Sequence, residues 1–238
     1  MGSQSVSHES RGTLCQTTDQ QFGSNAVTTM NDAIDRNNKG IAFLEQGRNE
    51  EALAELKIAA QNLHTLTREL HQRNVFDDIS ILNQSTSSRK WIPTDNAFVK
   101  STAILLAPTD EPTTTCTTES AIILFNMALC YHLDSMRPNS MQDATRNART
   151  LYEMAYSLAA QSTADIRSHQ IILISLNNLG QLEHELGNFD VSKRYFDDLS
   201  SYVVWLGSSG GAHLVSDRHD FMINALVLRN PNICAGAA

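Results

Sequence analysis

Residues 176–199 read LNNLGQLEHELGNFDVSKRYFDDL. Leu176 and Leu179, then Phe196 and Leu199, recur three apart, which is helical rather than strand spacing. Gly187 with Asn188 interrupts the pattern and marks a turn between two helices. Gly180 before the turn and Ser192 after it are small, as residues must be where two antiparallel helices approach closely. Leu179 and Phe196 beside them are large enough to fill the space around that contact. The stretch is a helical hairpin.

The same arrangement occurs twice upstream. In the first copy Gly40 and Phe43 are followed by Ala52, Leu56 and Ala59, with Gly47 in the turn. In the second, Leu124, Met127, Ala128 and Tyr131 are followed by Ala148, Tyr152 and Ala155. This pattern resembles the tetratricopeptide (TPR) repeat, W-x2-L-G-x2-Y followed by A-x3-F. The Leu176–Gly180 run is similar to the repeats of kinesin light chain-type adaptors. The copies depart from the family pattern in particular places. Arg36 and Lys39 stand where large apolar residues are usual, Glu183 replaces an aromatic, and no copy ends with the family's proline. Spacing is also uneven, because an insertion separates the first two copies. An irregular helical bundle with small residues at its crossings is the competing reading. The expected fold is all-α: a TPR-like solenoid of helical hairpins, carrying an irregular insertion and a C-terminal capping helix.

Along the chain, residues 1–25 are rich in Ser, Thr, Gln and Gly and are expected to form a disordered tail. The first hairpin occupies 26–73. Residues 74–118 hold Pro93, Pro108, Pro112 and a Thr-rich run, and form an insertion. Within it Val75–Leu82 and Ala97–Ala107 have strand-like composition and could pair as a hairpin, the alternative being disorder. Helical spacing returns over 119–230, with helices expected at 119–135, 140–161, 165–186 and 189–206. A last helix with Phe221, Ala225 and Leu228 on one face covers the end of the stack, and 231–238 form a tail.

The chain of 238 residues carries 18 Lys and Arg against 26 Asp and Glu, a formal charge of −8. That balance excludes nucleic acid and an anionic membrane surface as main partners, since both need concentrated positive charge. Four cysteines in no paired spacing fit free thiols in a reducing compartment, hence a cytoplasmic or nuclear protein.

Asparagine recurs two residues before the small position of every first helix: Asn38, Asn126 and Asn178. Asn37 and Asn177 precede two of them. The resemblance implies that this side of each first helix lines a concave groove. One amide offers an acceptor and two donors, which match the C=O and N–H of an extended peptide. Ile41, Phe125, Leu129, His132, Gln181 and His184 complete the candidate peptide-binding set. The plainer alternative is asparagine tolerated on a solvated face or bonding a neighbouring helix. The carboxylate clamp of chaperone-binding relatives is not expected, because the groove lacks cations. Replacing Asn126 and Asn178 by Ala is expected to weaken partner capture and leave the melting temperature nearly intact.

Gly207-Ser208-Ser209-Gly210-Gly211 matches G-x-S-x-G literally, but Ser209 follows a helical pattern rather than the strand that a hydrolase nucleophile needs. The eight dispersed histidines give no metal-ligand spacing, so neither a metal nor a cofactor is expected. The reading that results is a non-catalytic scaffold or adaptor holding a peptide segment of a partner protein. Its alternatives are a self-associating structural protein and, remotely, a serine hydrolase. The insertion itself, through Ala97–Ala107, could lie in the groove and block it.

Overall fold

A computed structural model describes residues 10–72, 87–91, 99–109, 116–209 and 218–229. Its elements are α1 (Ser10–Glu45), α2 (Asn49–Gln72), β1 (Ser87–Trp91), β2 (Thr102–Leu106), α3 (Thr117–Ser135), α4 (Ala144–Ala160), α5 (Ile166–Glu185), α6 (Phe189–Ser208) and α7 (Arg218–Arg229). The chain is mostly helical. No described helix is long and apolar enough to cross a membrane.

Two of the turns close in the same way. Gly47 and Gly187 adopt left-handed backbone, with φ of 73° and 76°. After α1, the Gly47 N–H donates to Leu44 C=O and the Arg48 N–H to Phe43 C=O, both at 3.0 Å. After α5, Gly187 N–H donates to His184 C=O at 3.0 Å and Asn188 N–H to Glu183 C=O at 2.9 Å. These bonds satisfy helix-end carbonyls that would otherwise lack partners.

Small residues sit at the helix crossings. A Cβ on Gly40 would lie 2.8 Å from Leu56 Cγ and 3.1 Å from the Ala52 carbonyl oxygen. One on Gly180 would lie 2.8 Å from Phe196 Cζ. Ser192, opposite Gly180, donates its hydroxyl to the Gly180 carbonyl at 2.7 Å. Ala128 and Ala148 are fully buried. Each helix packs on the next in chain order, and the odd-numbered helices also touch: α1 with α3, α3 with α5, α5 with α7.

The charged residues Arg36, Lys39 and Glu183 have partners on neighbouring helices. Arg36 and Lys39 reach across to Glu55 on α2, at 2.8 and 2.6 Å. Glu183, wholly buried, pairs with Arg149 on α4 and accepts from Asn188 Nδ2 at 2.8 Å. Ion pairs thus join α1 to α2 and α5 to α4. Arg167 at the start of α5 bridges Glu119 of α3 and Asp165.

Two expectations need correction. Helix α1 begins at Ser10, inside the stretch expected to be a disordered tail. Once packing fixes Met30–Leu44, extending a helix backward adds one hydrogen bond per residue without a new nucleation cost. The insertion does contain an antiparallel strand pair, with Arg89 opposite Ile104. Its second strand falls within Ala97–Ala107, but its first is Ser87–Trp91, whose composition points partly to a Ser/Thr break. Val75–Leu82 lies outside the described residues.

Strand β2 is part of the interior. Val99, Ala103, Ile104 and Leu106 are buried in the same apolar cluster as Ile34, Ile41, Phe125 and Ile174.

Candidate functional site

An extended chain exposes the N–H and C=O of one residue on the same edge, and those of the next residue on the opposite edge. β2 shares one edge with β1. Its other edge meets the odd-numbered helices, and there asparagines do the pairing. Asn126 Oδ1 accepts from the Ile104 N–H at 3.0 Å while its Nδ2 donates to the Ile104 C=O at 2.9 Å. Asn38 treats Leu106 alike, at 3.0 and 2.7 Å. Asn178 does the same to Lys100, at 2.8 and 3.2 Å. A fourth rung is Asn31, which holds Thr109 at 2.9 and 2.8 Å. Each amide stands in for one residue of a neighbouring strand. Lys100, Ile104 and Leu106 have the same parity, as pairing along one edge requires. The strand runs from α5 across α3 to α1, against the order of the helices.

A second layer orients these amides. Asn37, fully buried, accepts from Asn126 Nδ2 at 2.8 Å and donates to the Ile104 C=O at 3.1 Å. Asn177 donates to Asn178 Oδ1 at 3.1 Å and accepts from Asn224 Nδ2 of α7 at 2.8 Å. Asn178 Nδ2 also donates to the Tyr152 hydroxyl at 3.1 Å. That hydroxyl contacts His132 Nδ1 at 3.3 Å, and His132 Nε2 lies 3.6 Å from Glu185 Oε2. Burial raises the Tyr152 phenol well above its usual range, so it remains a neutral hydrogen-bonding group.

α7 closes the α5 end. Lys100 Nζ pairs with Asp220 at 2.9 Å and sits 5.3 Å from the centre of the Phe221 ring.

Of the expected set, Asn38, Asn126 and Asn178 converge on one strand, with Asn37 and Asn177 behind them. Ile41, Phe125 and Leu129 are buried core residues, Phe125 lying 5.5 Å ring to ring from Tyr152. His132 is wholly buried rather than groove-lining. Gln181 bonds Glu185, and His184 packs edge-on against Phe189. The structure changes what is expected of Ala at 126 and 178: a lowered melting temperature rather than a nearly intact one. Both side chains are fully buried and bonded on both polar atoms. Sequence reasoning misses Asn31, although it stands seven residues before Asn38 and therefore on the same helical face. It also misses Asn224, because the apolar face of α7 points only to a cover.

Ser209 ends α6, its hydroxyl donating back to the Trp205 carbonyl at 3.0 Å, so it follows a helix and not a strand. His213 and Asp217 lie outside the described residues. Cys116 and Cys130 are buried.

Nine amide–backbone bonds at about 1 kcal/mol each, with burial of a few aliphatic side chains at ~1.5–3 kcal/mol each, favour the seated strand. Ordering its residues costs ~1–2 kcal/mol apiece.

Comparison with family models, with curated proteins and with solved structures finds no match to this chain.

Proposed function

We propose that the protein is a non-catalytic scaffold of stacked, TPR-like helical hairpins whose α1–α3–α5 face binds an extended polypeptide by its backbone. In this reading the face is the concave side of a short solenoid, α7 is the first helix of an incomplete further repeat, and segment 99–109 is a resident ligand. What carries the reading is that four asparagines on three successive odd-numbered helices each take both the N–H and the C=O of one strand residue. Side chains that serve packing alone have no reason to repeat that two-point grip four times along one segment. A partner segment presenting the same backbone would be held in the same manner.

The test is affinity capture from lysate with wild type and with Ile104→Asp, which places a charge on the buried face of β2. A partner captured more strongly by Ile104→Asp, and lost when Asn126→Ala is added, is the expected result. Capture indifferent to both changes would remove the groove assignment.

A second reading, self-association, is favoured by the exposed apolar residues Val204, Trp205, Ile223 and Leu226 on α6 and α7. Sedimentation that changes with protein concentration, and disappears in Trp205→Ser, would support it.

A further inference from the structure

The resident strand is a template for its own competitor. This inference rests on the backbone-gripping reading above and specifies the ligand. Ser101 and Ala103 are 2% and 0% exposed, so a larger side chain at either place would have to displace enclosing neighbours. Val99, Ile104 and Leu106 are buried among aliphatic residues. Thr102 and Leu105 are only half-buried and constrain little. Lys100 meets a carboxylate and an aromatic face on α7, two features that select a cation. The N–H groups of residues 100, 104, 106 and 109 are all gripped, which bars proline from those positions. The segment's one proline in this region, Pro108, falls between two gripped residues.

We propose that the partner presents an extended segment of the pattern aliphatic–cation–small–any–small–aliphatic–any–aliphatic, free of proline at the gripped positions, and that it binds by exchanging with residues 99–106 of this chain. The chain's own strand is joined covalently to the scaffold and so competes at high effective concentration. An incoming segment therefore binds well only when its pattern matches or when the resident strand is weakened.

The probe is a fluorescein-labelled peptide of residues 98–110 (FVKSTAILLAPTD), titrated by anisotropy into the full-length protein. Ile104→Asp protein is expected to bind it at least ten-fold more tightly than wild type, and Ile104→Asp with Asn126→Ala not at all. Peptides carrying Ala103→Leu or Lys100→Glu are expected to bind at least ten-fold more weakly than the parent peptide. If Ile104→Asp loses the far-ultraviolet helix signal, Lys100→Glu with Thr109→Pro, altered only at the strand ends, replaces it with the same expectations. Equal binding of all three peptides, still abolished by Asn126→Ala, would overturn the residue pattern and leave backbone gripping standing. Equal affinity of wild-type and strand-weakened protein would overturn the exchange. If no peptide binds a folded protein whose residue 100–106 amides exchange freely with solvent, both the pattern and the backbone-gripping reading fail.

Discussion

Tyr152 on α4 and Asn178 on α5 are joined by a hydrogen bond of 3.1 Å, in which the same Asn178 nitrogen that holds the Lys100 carbonyl donates to the phenol oxygen. Tyr152 is completely buried and in turn meets His132. The orientation of the amide at the α5 rung is therefore fixed from the far side by the core. An amide free to rotate would present donor and acceptor in either order and grip a strand poorly.

Removing that support should be visible at one rung only. Tyr152→Phe keeps the ring against Phe125 but leaves one Asn178 proton and His132 Nδ1 without this partner. The expected cost is ~1–3 kcal/mol in unfolding free energy, for buried polar groups left unpaired. Hydrogen exchange at the Lys100 amide should rise about ten-fold, with Ile104 unchanged. Equal acceleration at both amides would mean the phenol stabilises the whole face and does not orient Asn178.

Asn126 is the rung on α3, between those of α1 and α5. It serves both backbone groups of Ile104 and also donates to Asn37. Asn126→Ala strands a buried N–H and a buried Asn37 oxygen, and should lower stability by about 2–4 kcal/mol. Asn126→Asp keeps the acceptor but sets carboxylate oxygen against the Ile104 carbonyl and the Asn37 oxygen. It should cost more than Ala at pH 7 and recover in part below pH ~4, where a protonated carboxyl can donate again. Denaturant midpoints at the two pH values measure the difference. An Asp variant more stable than Ala at pH 7 would mean that Asn126 Nδ2 is not the donor to Ile104 and Asn37.

The crossing at Gly180 is a steric claim and can be tested as one. Gly180→Ala gains helix propensity of roughly 1 kcal/mol, but its methyl would stand 2.8–3.0 Å from three atoms of the buried Phe196 ring. Overpacking of this kind costs ~1–3 kcal/mol. The variant should melt below wild type, and adding Phe196→Leu should recover part of the loss. Gly187→Ala meets no neighbour within 4 Å, yet its φ of +76° makes the side chain itself unfavourable by about 1–2 kcal/mol. Phe196→Leu should leave that loss untouched, so the two glycines separate by their response to one second-site change.

Sequence pattern locates the helices because a 3.6-residue apolar period is a local property: α3, expected from 119, starts at Thr117, and α5, expected from 165, at Ile166. It also singles out Asn38, Asn126 and Asn178, because each stands two residues before a small residue (Gly40, Ala128, Gly180), a spacing visible without coordinates. It cannot tell that Phe125, Leu129 and His132 face the core. A helix in contact with neighbours on several sides buries residues all around its surface, and α3 buries thirteen of its nineteen. Nor can it fix β1, since strand pairing depends on contacts distant in sequence and Ser87-Ser88 has the composition of a turn. Lys100 is invisible for the same reason, its partners Asp220 and Phe221 lying at the other end of the chain.

Acid should loosen the joint between α3 and α5. Asp165 caps α5, its Oδ1 accepting from the Arg167 N–H at 2.9 Å, and its carboxylate pairs with the Arg167 guanidinium, which also reaches Glu119 at 2.9 Å. Burial works to raise the Asp165 carboxyl, but the hydrogen bonds and positive charge of Arg167 outweigh it and hold the group below its ordinary value. A carboxyl depressed in the folded state contributes stability that is complete above its unfolded value of about 3.9 and disappears as pH falls through the folded value. Asp165→Asn retains a capping side chain and removes the charge. At pH 7 the variant should be less stable than wild type by roughly 1–3 kcal/mol, the range for hydrogen bonds to charged groups. The difference should shrink steadily below pH ~4, because protonation makes the wild-type side chain equally neutral. Urea midpoints measured for both proteins from neutral pH down into the acid range follow it. A gap that stays constant over that interval would place the loss in altered capping geometry and remove the Arg167 ion pair as the source of acid sensitivity.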